Sequence, residues 1–156
     1  MFFIRKKLLA ILLLTAQPLF AAGIEEMLTG PESEFCQSKR SVNDNLSTYI
    51  DCLKNKESKV DKAMKAAFDK SLATVQSNEW LLPNVEYSDS NSDIVKQNKE
   101  AFIDNQKNWQ KESAQFCELA TSRISALAPL YPVLLIQCRI NMKKKRIEAL
   151  NYFSVD

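Results

Sequence analysis

Histidine is absent from the 156-residue chain, and there are only two glycines, Gly23 and Gly30. Without histidine there is no Ser-His-Asp or Cys-His arrangement and no imidazole general base. From residue 31 onward glycine is missing altogether. Phosphate-cradling loops and dinucleotide fingerprints need glycine for positive φ or close backbone approach. Those chemistries are excluded, and helices joined by simple turns are expected. A G-x-S-x-G nucleophile elbow is also lacking. Carboxylates adjoin at Glu25 and Glu26, but near the N-terminus. Nothing in the sequence sets two carboxylates across a cleft, as glycoside hydrolysis requires. The chain reads as non-enzymatic, with no catalytic residue and no cofactor.

A long apolar run is missing too. The start, "MFFIRKK", carries Arg5, Lys6 and Lys7, then "LLAILLLTAQPLF" runs apolar and "AAG" supplies small residues. The apolar part is shorter than the roughly 20 residues that span a bilayer. Its order is that of a secretory signal peptide, expected over residues 1–22, with cleavage after Ala21, Ala22 or Gly23. A single domain over 23–156 would remain, with no stable membrane insertion, in the periplasm or outside the cell. The chain has 21 Lys+Arg and 19 Asp+Glu. Losing Arg5, Lys6 and Lys7 leaves 18 basic against 19 acidic residues, a net charge of −1. So even a balance gives no footprint for nucleic acid.

Four cysteines follow the signal segment: Cys36, Cys52, Cys117 and Cys138. An even count behind a signal peptide reads as two disulfides in an oxidising space. Zinc is not expected, because there is no histidine and no Cys-x-x-Cys. Four cysteines allow three pairings, and the residues alone leave that open. Cys52 and Cys117 would sit level if two long helices packed antiparallel.

Apolar residues recur at helical spacing. Val42, Leu46, Tyr49, Ile50 and Leu53 step by three and four, and Val60, Met64, Phe68, Leu72 and Val75 continue. Ser41 suits the N-cap. "KNKES" between them is either a kink or a solvated turn of one long helix. "LLPNVEYSDSNSD", residues 81–93, breaks the pattern with Pro83 and turn formers. This loop is locally acidic, and Glu86, Asp89 and Asp93 are its candidate contacts for a partner; Asp93 also suits a cap. In the next helix Val95, Phe102, Trp109 and Phe116 lie seven apart. Phe68, Phe102, Trp109 and Phe116 are therefore expected in the core. Ile124 and Leu127 extend the stripe, and "APLYP", residues 128–132, ends it. A last helix puts Leu135, Ile136, Ile140, Ile147 and Leu150 on one face and "KKKR", residues 143–146, mostly on a solvated one.

The ordered set resembles the LprI-type family of exported helical domains, named after a lysozyme inhibitor. It is carried by "EFCQSKR", "YIDCL" and "VDKAMKAAFDKSL", where Cys36, Cys52, Asp61, Met64 and Phe68 match. Gln106, Trp109 and Cys117 follow, then Cys138, Arg146, Ile147 and Leu150. The likeness spans about residues 34–152. Ser113 and Ala114 stand where the family usually has Arg-Asp, and Met64 and Lys65 stand where it has Leu-Asn. The resemblance implies pairing of Cys117 with Cys138, and hence of Cys36 with Cys52. An all-α bundle of three or four helices stapled by two disulfides is expected. The implied function is a binding protein for a lysozyme-like muramidase. The alternative is a structural or stress-related envelope protein, or an immunity-like partner of another secreted protein.

Overall fold

The computed structural model describes residues 19–40, 45–77 and 91–154. They form five helices: α1 (Leu19–Leu28), α2 (Pro31–Ser38), α3 (Leu46–Val75), α4 (Asn91–Thr121) and α5 (Tyr131–Asn151). No strand occurs among them. The all-α bundle holds, built on three long helices with two short ones ahead of them. The signal segment up to residue 18 lies outside the described residues, as do Ser41, Val42, Pro83, Glu86 and Asp89. The expected cleavage positions fall within α1. No helix among the described residues is long and apolar enough to cross a membrane.

The "KNKES" stretch is an uninterrupted part of α3. The helix opens at Asn45, whose side chain accepts from the Thr48 backbone N–H at 3.2 Å. That bond satisfies one of the free donors of a helix start, so Asn45, and not Ser41, is the cap. Asp93 lies inside the first turn of α4, where it faces the positive end of the helix dipole without being the first residue.

Helix α5 is the centre, touching all four other helices. Its first half packs Val133, Ile136 and Ile140 with Tyr49 and Leu53 of α3. Its last turn packs Leu150 with Met64 and Val75 of α3 and Phe102 of α4. Early residues meet early and late meet late, so α3 and α5 run parallel. Helix α4 runs the other way, with Phe102 near Leu150 and Cys117 bonded to Cys138. The buried Ser71 hydroxyl lies 2.8 Å from Ala67 O and 2.7 Å from Leu150 O. Leu150 O, at the end of α5, also accepts from the Phe153 N–H at 2.9 Å, so Ser71 adds a tie from α3 to a capped helix end.

Both disulfides join consecutive cysteines, Cys36–Cys52 and Cys117–Cys138, each with 5.7 Å between Cα atoms. The first ties α2 to α3, the second ties the end of α4 to the start of α5. This is the pairing the family resemblance implied.

Two readings of α4 change. The helix ends at Thr121, before Ile124 and Leu127, and Leu127 is 94% exposed. Thr121 Oγ1 lies 3.2 Å from Glu118 O and Ser122 Oγ donates to Leu119 O at 2.7 Å, so hydroxyls take carbonyls that a further turn would have used. Pro132 is not the stop of α4 but sits in the first turn of α5, where its missing N–H costs nothing. Phe116, expected in the core, is exposed. A strict spacing of seven drifts by about 20° per heptad on a straight helix. By the third step the seam has moved on, and the buried position is Cys117, not Phe116. Phe102 is buried, while Phe68 and Trp109 are half-buried against the same cluster.

Candidate protein-binding surface

The basic run of α5 is not a solvated face. Lys143 Nζ sits 2.9 Å from Glu57 Oε1 and 2.6 Å from Asp61 Oδ1, both on α3. Arg139 Nε approaches the same Glu57 oxygen at 3.1 Å, but out of line for a hydrogen bond. Arg146 donates from Nε to Gln106 Oε1 and from Nη2 to Asn105 Oδ1, each at 2.8 Å. Its guanidinium also lies 5.5 Å from the Trp109 ring centroid. Burial pushes the Arg146 pKa down from its ordinary value, but a guanidinium stays charged in a protein. Only Lys145 of the four is exposed. Helix α5 meets neighbours on most of its sides, so Lys143, Lys144 and Arg146 are taken up as ties between helices.

Lys144 pairs with Glu32 of α2. Next to them the fully buried Gln137 donates to Glu32 Oε2 at 3.1 Å and accepts from the Ser33 N–H at 2.9 Å. Asn141 Nδ2 reaches the carbonyls of Met27 and Thr29 at 3.1 and 2.8 Å. Gly30 is required here by close approach, since an added Cβ would meet Gln137 Nε2 at 2.5 Å. Burial raises the Glu32 pKa, but the bonds from Lys144, Gln137 and its own backbone, with the charge of Lys144, outweigh it and hold the group below the ordinary 4.5. A depressed folded-state pKa gives stability that is present above 4.5 and is lost as pH falls through the folded value. Glu32→Gln is therefore expected to melt below the wild type near neutral pH. The gap should narrow as the buffer is taken below about pH 4, read from thermal midpoints by circular dichroism.

Trp109 is thus a packing residue, with α3 and α5 against it. Beside it lies a shallow notch of about 210 Å³, lined by Asp61, Met64, Ser113, Ala114, Arg139 and Met142 among others. Ser113 is buried and donates to Gln110 O at 3.1 Å, and Ala114 is exposed. The two positions where the family usually carries Arg-Asp therefore open onto the α3–α5 ion-pair cluster.

Of the acidic loop contacts, Asp93 is exposed, and Glu86 and Asp89 are outside the described residues. Among the described residues no group of three or more His, Cys, Asp or Glu is placed to hold a metal.

A feature that periodicity did not flag stands on α2. Phe35 projects with 45% of its surface exposed. Lys56 Nζ of α3 lies 3.8 Å from the ring centroid, and Lys39 Nζ lies 5.5 Å from it. One residue along, Arg40 stands 5.9 Å from the Tyr49 ring. Helix α2 has eight residues, too few for an apolar stripe to show. The available signal was Phe35 and Lys39 at i and i+4, which share a helix face, next to a cysteine that fixes that face. Exposed apolar side chains also gather around the α4–α5 turn, at Leu119, Leu127 and Leu130.

No curated protein and no solved structure matches the chain. A family model described as "Lysozyme inhibitor LprI" matches residues 36–150. That range takes in all four cysteines, both disulfides and the three long helices, and the chain belongs to the LprI lysozyme inhibitor family.

Proposed function

We propose that the protein is a non-enzymatic binding protein of the lysozyme-inhibitor type, working in the periplasm or outside the cell. Membership of the LprI family carries this reading. The compartment is supported by the two disulfides, since such bonds persist where the surroundings are oxidising, and by the signal-peptide pattern of residues 1–22. The partner is a lysozyme-like muramidase, recognised by a rigid surface and not by a reactive group. Asp93, with Glu86 and Asp89, supplies acidic charge that speeds encounter with a basic enzyme.

Titrating the purified, disulfide-intact protein into a c-type lysozyme is expected to give saturable inhibition of cell-wall lysis at micromolar concentration or below. No inhibition there overturns the reading. The exposed Leu119, Leu127 and Leu130 favour a second one, an envelope or immunity-like protein that holds another secreted protein. Recovery of one specific non-lysozyme partner from periplasmic extract, with lysozyme unaffected, selects it.

A further inference from the structure

Phe35, Lys39 and Lys56 form a built projection. Cys36 is pinned to Cys52 of α3, so the neighbouring Phe35 cannot turn inward. Cys36 is buried at 1% exposure while Phe35 is left out in solvent. Two ammonium groups lie close to the ring, Lys39 from the C-cap of α2 and Lys56 from α3. Neither Lys39 nor Lys56 has an ion-pair partner among the described residues. That sets them apart from Lys143 and Lys144, whose charges are spent inside the bundle. The acidic side chains at hand are Glu34, exposed on α2, and Asp51, paired with Lys54 at 3.9 Å.

An exposed aromatic beside two unpaired cations is complemented by an apolar slot lined by two anions. Their distances of 5.5 and 3.8 Å from one ring centroid set an upper limit on the separation of the two ammoniums, a limit compatible with a pair of carboxylates roughly 5–9 Å apart. Paired carboxylates of glycoside hydrolases are separated by roughly 5–9.5 Å and face each other across the sugar-binding cleft. We infer that Phe35, Lys39 and Lys56 are the contact surface for the two-carboxylate cleft of a lysozyme-type glycoside hydrolase. The phenyl ring takes the place of a sugar ring, and each ammonium approaches one carboxylate. The disulfide holds the projection in its docking shape before contact, which lowers the ordering cost of association. This deepens the lysozyme-inhibitor reading and rests on it.

Inhibition constants of the full, disulfide-intact chain against a c-type lysozyme test it. The double charge reversal Lys39→Glu/Lys56→Glu is expected to weaken inhibition at least a hundredfold, and Phe35→Ala about tenfold. Phe35 and Lys39 are exposed and Lys56 is half-buried, and unchanged far-ultraviolet spectra and melting points establish that the variants fold. Chitotriose, which occupies the cleft, is expected to compete with the wild-type protein. Wild-type inhibition that persists unchanged in the double variant, or binding to lysozyme that saturating chitotriose leaves unchanged, overturns the contact surface and leaves the lysozyme reading standing. A wild type that neither inhibits nor binds lysozyme overturns both.

Discussion

Replacing Cys117 and Cys138 together by alanine is expected to lower the unfolding free energy by about 3 kcal/mol. The bond closes a loop of 21 residues, and restricting a loop of that length in the unfolded chain gives a figure of this size in the chain-entropy account. Alanine is chosen over serine because both sulfurs are fully buried, and a hydroxyl there would need a partner it does not have. The Cys36–Cys52 loop is of similar length at 16 residues, so entropy alone makes the two bonds nearly equal. They differ in what they hold. Cys117–Cys138 fixes one end of α4 to α5 across the irregular turn at 122–130, whereas the other end of α4 is held by Phe102 packing. Without it, amide exchange is expected to speed up first in the last turns of α4. Denaturant unfolding measures the total, and a loss under about 1 kcal/mol would rule out the clamp.

The second large effect is expected at Glu57. Its carboxylate is 14% exposed and takes Lys143 and Arg139 from α5. Removing it as Glu57→Ala leaves Lys143, 17% exposed, with Asp61 alone, and leaves Arg139 Nε buried beside an empty volume. Removing one partner of a buried pair costs about 3–5 kcal/mol. Arg139 is 40% exposed, so water recovers part of that, and about 2 kcal/mol is expected. Glu57→Gln keeps the shape and one acceptor and is expected to cost less than the alanine variant. Equal losses in the two would mean that packing, and not charge, is what Glu57 supplies. Denaturation midpoints of both variants at low and high salt make the distinction, since a partly buried pair is screened only weakly.

Helix existence was legible because glycine is absent beyond residue 30 and the apolar steps of three and four run on both sides of "KNKES" in α3 and through most of α4. The resemblance supplied the disulfide pairing, which spacing could not. What escaped the sequence has a common cause. Periodicity reports one apolar face, and it treats everything else as solvated. That is right for α3, whose outward lysines such as Lys59 and Lys62 are exposed. It fails for α5, where Lys143, Lys144 and Arg146 meet acids and amides on three different helices. Their partners are 40 to 112 residues away, and only the assembled register brings them close. Phe116 failed for a smaller reason, the drift of a seven-residue spacing on a straight helix. The Phe35 projection was missed because a helix of eight residues carries no readable period.

Helix α5 is at once the core of the bundle and the last helix in the sequence. Both apolar clusters lack part of their wall until it arrives. Helices α1 to α4 leave the ribosome, and cross any membrane in their path, before the element that organises them exists. A chain stopped at residue 130 would lack Ile136, Ile140 and Leu150 and the second half of a disulfide, and would expose both apolar clusters at once. Closure of both clusters therefore waits for α5 to emerge. The Cys36–Cys52 bond and the packing of α3 on α4 do not need it, and this 21-residue segment then closes both clusters.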